Sequence, residues 1–262
     1  MHIAILFNVK ACLKKYAVAL FLFFFAAGTS NAADLNAAEI VRQALDHWRG
    51  ISSVGEMTMV IHRPDWERTM SMKAWTQGAD KSLVRITAPQ KDRDNATLML
   101  DNSMWSYSPK IRRVIRIPSS MMGQSWMGSD FSNKDVSRSD DIVDQYTHTL
   151  LETKVAGGNT IYRIQSVPLE EAAIVWGREV LSIRDDWILL EQLFYDQDDV
   201  LVQKLETLEI GEMGGRTSAL RQRMGKVDVD DEWTEMQVNK MEYEVDLEDR
   251  LFTVANLKNP RE

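Results

Sequence analysis

The feature that most limits what this chain can fold into is a period of two. Met57, Met59 and Ile61 alternate with Glu56, Thr58 and Val60, and Trp66, Met70, Met72 and Ala74 alternate with Glu67, Thr69, Ser71 and Lys73. Successive side chains of a strand point to opposite faces of a sheet, so each run reads as a strand with one apolar side. Pro64-Asp65 between them is a turn pair, and the two runs read as a hairpin. Strand-like runs follow at Lys81–Ala88, Thr97–Asp101, Met104–Tyr107 and Arg113–Ile117. A second series covers Ile161–Val167, Glu179–Ile183, Ile188–Tyr195, Val200–Ile210, Ser218–Met224 and Thr234–Met241, after a turn at Gly157-Gly158-Asn159. No repeat, low-complexity tract or Pro/Ser-rich linker divides them. The expectation is a mainly β chain with some α: about ten or eleven strands in one antiparallel sheet. Such a sheet twists and must cover its apolar face, so a curled half-barrel covered by helices is expected.

Three stretches break the rhythm toward helix. Leu35–Arg49 places Ile40, Val41, Ala44, Leu45 and Trp48 at spacings of three and four, with Gly50 where a C-cap belongs. Asp141–Leu151 repeats that spacing through Ile142, Val143, Tyr146 and Leu150, and Leu247–Val254 reads as a closing helical turn. Pro118–Asp140, rich in Ser, Met and Gly, reads as a loop with a short helix.

At the N-terminus, Lys10, Lys14 and Lys15 precede the 13 residues Tyr16–Gly28, and Ser30-Asn31-Ala32 follow. A spanning helix needs roughly 20 apolar residues, so residues 1–32 read as an export signal cut after Ala32. Residues 33–262 would then be one domain in the periplasm, not an integral membrane protein. Removing the signal leaves 28 of the 31 Lys and Arg against all 39 acids, a net charge of −11. The single Cys12 leaves with it, so the fold has no disulfide to lean on. An acid surplus of that size argues against nucleic acid as a partner.

Signs of catalysis are sparse. His47, His62 and His148 have no second His or Cys at ligand spacing. Gly123–Gly128 has the wrong spacing for a nucleophile elbow. Asp228, Asp230, Asp231 and Glu232 lack the Gly and distant Glu of a calcium loop and read as a hairpin turn, as do Asp196, Asp198 and Asp199. No catalytic residue, metal or cofactor is expected. Two features point instead to an amphiphile. Trp105–Pro118 combines two aromatics with Lys110, Arg112, Arg113 and Arg116, cations that could meet an anionic head at a rim. Met57, Met59, Met70, Met72, Met99, Met104, Met121, Met122 and Met127 crowd the first half of the chain, and thioether chains suit a deformable apolar cavity.

The succession Asn95–Leu100, Met104-Trp105-Ser106-Tyr107-Ser108-Pro109, Arg112–Ile117 and Trp126-Met127-Gly128-Ser129-Asp130-Phe131 resembles the outer-membrane lipoprotein-sorting-protein-like family. Its proteins are periplasmic and similar in fold to the carriers LolA and LolB. The resemblance runs through the late Asp246–Leu257 stretch and covers essentially the whole exported chain. It implies a half-barrel whose concave face holds a lipid or a lipoprotein acyl chain, often beside a resistance-nodulation-division type exporter. The expected wall is Met57, Met59, Met70, Met72, Leu98, Leu100, Trp105, Tyr107, Trp126 and Phe131, with Arg113 and Arg116 as headgroup residues at the rim. A periplasmic accessory protein that docks on an exporter and carries nothing is the alternative, and an enzyme on the same fold is the third class.

Overall fold

In the computed structural model, which describes residues 36–137, 141–172 and 174–260, thirteen strands form one antiparallel sheet. β1 (Ser52–Arg63), β2 (Trp66–Gln77), β3 (Lys81–Ala88), β4 (Ala96–Leu100), β5 (Ser103–Ser108) and β6 (Arg113–Ile117) step outward to one edge. β7 (Tyr146–Ala156), β8 (Asn159–Pro168), β9 (Arg178–Arg184), β10 (Leu189–Tyr195), β11 (Leu201–Met213), β12 (Arg216–Lys226) and β13 (Trp233–Tyr243) step back from the other edge. The two series meet in the middle, where β13 pairs with β1 from Ser53↔Tyr243 to His62↔Trp233. The sheet stays open, and its edges β6 and β7 are neighbours in sequence.

Local chemistry sets these turns. Gly157-Gly158 and Gly214-Gly215 all have positive φ, at 60°, 85°, 60° and 82°, the conformation a two-residue hairpin loop needs and glycine adopts without steric cost. Asp196 Oδ1 accepts from the backbone N–H of Asp198 and of Val200, which folds the β10–β11 connection. Asp228–Glu232 connect β12 to β13.

Three sequence expectations need correction. The sheet has thirteen strands rather than ten or eleven, and the helix expected over Asp141–Leu151 is only α3, Asp141–Asp144. After it the chain enters β7, where Tyr146 pairs with Pro168 and Leu150 with Ile164. Thr147, Thr149, Thr153 and Val155 are β-branched, stiff at χ1 and suited to a strand, and that preference overrides a helical spacing of four apolar residues. At the C-terminus a 3₁₀ turn (Asp249–Leu251) precedes α4 (Val254–Lys258), rather than one helical turn from Leu247 to Val254.

Three segments cover the sheet. α1 (Ala37–Arg49) and α3 lay Ile40, Val41, Ala44 and Ile142 on Ile164, Leu181 and Ile183 of the inner face. The segment 118–137, with α2 at Asn133–Ser137, sets Trp126, Met122 and Val136 on Met59, Ile61, Met70, Met72 and Met104. The C-terminal stretch covers the opposite face, packing Leu251, Phe252 and Leu257 on Trp75, Leu83, Leu98 and Tyr107. Each cover is fastened by hydrogen bonds. Gly50, at φ 66°, ends α1 and donates to the Asp46 carbonyl, and Arg216 and the Tyr243 hydroxyl donate to the carbonyls of His47 and Trp48. Asp130 latches the middle segment: Arg63 reaches both carboxylate oxygens at 3.1 Å, and the Thr234 hydroxyl donates at 2.6 Å. Ser132 and Asp135 cap α2 reciprocally, each accepting from the other's backbone N–H. No helix among the described residues is long and apolar enough to cross a membrane. Residues 1–32, the expected signal, lie outside the described residues.

Candidate functional site: a cavity between the sheet and its covers

A cavity of about 380 Å³ lies between the inner face and its covers. Its walls draw on both halves of the sheet and on α1: Met57, Met72 and Met99 from one side, Leu181, Ile183 and Phe194 from the other, Val41, Ala44 and Leu45 from the helix. A single volume lined by β2, β4, β9 and β12 requires the sheet to curl around it. Its floor is low at Ala74 of β2, which pairs with Val84 of β3 and has only a methyl side chain, whereas the side chains of Met57 and Met241 fill the space over the neighbouring Gly55 of β1.

One end of the cavity is polar. Glu179 of β9 is 4% exposed and accepts hydrogen bonds of 2.5 Å from the Tyr146 hydroxyl and from Gln192 Nε2. Burial pushes its carboxyl up to about 7, against the effect of those two donors. Burial also raises the Asp135 carboxyl, and the Tyr146 phenol is raised by burial and then by the Glu179 charge. Lys134 and Asp141, 3.7 Å apart, line the same end. The arrangement is a mostly apolar hollow with one polar end, where carboxyls stand beside a phenol, an amide and the Lys134 ammonium. No group of three or more His, Cys, Asp or Glu able to hold a metal ion occurs among the described residues.

The structure divides the residues expected to form the wall. Met57, Met72, Trp126 and Phe131 line the cavity, and the Trp126 indole donates to the Thr97 hydroxyl at 3.0 Å. Met59 and Met70 are fully buried just beneath Trp126, in the core that supports this wall. Leu98, Trp105 and Tyr107 belong to the cluster under the C-terminal stretch, and Leu100 shares their side of the sheet by strand alternation. Met99 and Met104, between them in sequence, face inward instead. Arg113 and Arg116 are exposed on the edge strand β6 and do not line the cavity. Arg116 bonds the Ser103 hydroxyl and lies 6.0 Å over the Trp105 ring. What the sequence reading lacked is the second half of the wall and the polar end. The signal was there in β9, where Glu179, Leu181 and Ile183 alternate on one face.

This placement makes a direct prediction. Trp105→Ala is expected to leave the affinity for a fluorescent long-chain acyl probe unchanged while lowering stability by about 2 kcal/mol through lost packing under the C-terminal stretch. Probe titration and urea unfolding of the same variant check both halves, and a selective loss of affinity would return Trp105 to the wall.

Comparisons with known proteins agree with this architecture. A family model described as that of an uncharacterised protein matches residues 78–259. No functionally curated protein matches. Among solved structures, a DUF1329 family protein from Desulfovibrio piger superposes with a TM-score of 0.76 at 26% identity, over 84% of this chain and 97% of its own. A domain described as an outer membrane lipoprotein-sorting protein, from Vibrio parahaemolyticus, gives 0.74 at 20% identity, over 85% and 98%. A LolA superfamily protein from Nitrosomonas europaea gives 0.70 at 19% identity, over 84% and 98%. The chain therefore belongs to the family whose model spans residues 78–259, and its fold is that of the LolA superfamily and its lipoprotein-sorting-type domains.

Proposed function

We propose that the protein is a periplasmic carrier that holds one lipid, lipoprotein acyl chain or similar amphiphile in the cavity between sheet and helices. The observation that carries this reading is the hollow itself: about 380 Å³, with apolar walls from both halves of the sheet. Ligand sites typically span about 300–1,000 Å³. Burying ten methylenes contributes about 8 kcal/mol, enough for micromolar binding once ordering costs are subtracted. A water-filled compartment is where such a shelter is needed, and the Tyr16–Gly28 segment behind three lysines supports export. The LolA-type fold supports a sorting role, and the family resemblance supports an exporter of the resistance-nodulation-division type as the membrane partner. The reading assigns no catalytic residue.

The test is the content of the purified protein. Native mass spectrometry after expression with export is expected to show a reproducible lipid adduct that a long-chain acyl probe displaces. A protein that is empty, takes up no probe and still retains an exporter on a column would be the non-carrying accessory protein instead.

A further inference from the structure

The aromatic–cation stretch singled out in the sequence has no role in the cavity. Its cations gather at one end of the sheet. Tyr107 pairs with Ala96, so the β5–β6 turn (109–112) and the β3–β4 loop (89–95) leave the sheet at the same end. The two carry Lys91, Arg93, Lys110 and Arg112, with Arg113 next in β6, and all five are exposed. Within these two loops one exposed acid, Asp94, stands against them, because Asp92 is buried and paired with Arg68 at 2.9 Å. The exposed acids Asp65 and Glu67 of the β1–β2 hairpin and Asp228, Asp230 and Asp231 of the β12–β13 connection leave the sheet at the same end but toward its middle, which confines the basic surface to the β6 corner. Among the described residues none of the five cations has an ion pair: Arg93 bonds the Thr87 carbonyl and Gln90. Elsewhere, Arg63, Arg178, Arg184, Arg223 and Arg250 are each paired with a carboxylate. In a chain with eight more acids than bases, these five cations, four in two adjoining loops and one at the start of β6, make a local basic patch. At its tip Ile111 is 58% exposed between Lys110 and Arg112, and Ile115 is 50% exposed along the same edge strand.

We infer that this corner of the sheet, formed by the β3–β4 loop and the β5–β6 turn, docks on an anionic lipid bilayer, with Lys91, Arg93, Lys110, Arg112 and Arg113 on the phosphates and Ile111 entering the headgroup layer. Charge and apolar exposure must coincide for such a surface. Cations draw the protein within a Debye length of the membrane, and an apolar side chain at the tip then gains from leaving water. A flat acidic protein face would use the cations but leave the isoleucine without a function, so the bilayer is the better fit. The inference is independent of what the cavity holds.

Vesicle flotation tests it with the purified protein, using phosphatidylcholine vesicles with and without phosphatidylglycerol. Its overall charge should repel the protein from anionic vesicles, so binding to them is a sharp expectation. At least about tenfold tighter binding to the anionic vesicles is expected, weakening as salt rises. K110E/R112E/R113E should abolish it with the melting temperature and acyl-probe uptake unchanged, which separates this surface from the cavity. Ile111→Asp should weaken binding and leave it more sensitive to salt. Equal binding to both vesicle types, or full binding by the charge-reversed variant, would overturn the proposal. So would a protein that ignores vesicles and binds an acidic protein through the same patch.

Discussion

Ala74→Trp is expected to lower acyl-probe affinity by about 200-fold without destabilising the fold. Ala74 lies on β2 between Gly55 and Val84, at the low floor of the cavity, and its side chain points into the hollow rather than into packed core. An indole there rises into space that a ligand would fill. Excluding four methylenes forfeits about 3 kcal/mol at roughly 0.8 kcal/mol each, and each 1.4 kcal/mol is about tenfold in affinity. The indole itself gains cover from the cavity walls, so urea unfolding should show unchanged or slightly increased stability. Native mass spectrometry should show the lipid adduct lost in parallel. If Ala74→Trp retains wild-type affinity, the ligand is held elsewhere and the cavity reading fails.

Glu179→Gln is expected to make the protein more stable at pH 8, by about 2 kcal/mol, and to flatten its response to pH. Glu179 ionises near 7 in the fold because burial disfavours its charge, against an ordinary 4.5. Between those values the native state retains a proton that the unfolded chain has released. Its contribution is therefore fully present below 4.5 and is lost as pH rises toward about 7. The interval corresponds to a cost on the order of 3 kcal/mol above pH 7. Glutamine removes that cost and still accepts from Tyr146, but it surrenders one hydrogen bond of about 1 kcal/mol. The raised Asp135 carboxyl acts in the same direction and stays in the variant, so some slope should persist. Urea unfolding at intervals from pH 5 to 8 checks the difference, and parallel curves for the two proteins would remove Glu179 as its source.

The sheet was readable because most of its strands announce themselves twice, by alternation and by the turn residues that bound them. Pro64-Asp65 and Gly157-Gly158 sit where the chain reverses. β7 was obscured because Ile142, Val143, Tyr146 and Leu150 mimic a helical stripe across the junction of α3 and a strand. The wall was half readable for a different reason. On β3, β4 and β5 both faces are covered, the inner one by the segment 118–137 and the outer one by the C-terminal stretch. Four of the five residues of β4 are buried, so its pattern is a continuous apolar run and parity alone cannot tell Leu98 from Met99. The larger side chains Leu98, Trp105 and Tyr107 drew attention, and they face outward. The polar end needed Tyr146 and Gln192 brought to Glu179 from 33 and 13 residues away, a juxtaposition that only the sheet order supplies.

The pairing of β1 with β13 also governs how the chain can acquire its structure. Ser53 meets Tyr243 across nearly the whole sequence, so the two meanders can each zip locally but have no shared ladder until the last strand arrives. Contacts so distant along the chain make for slow assembly. Meanwhile β1 presents Met57, Met59 and Ile61 on an unpaired rim, a template for association with other chains. Correct folding is thus a race between closing that central seam and intermolecular pairing, and a helper that shields the first hairpin would favour the former.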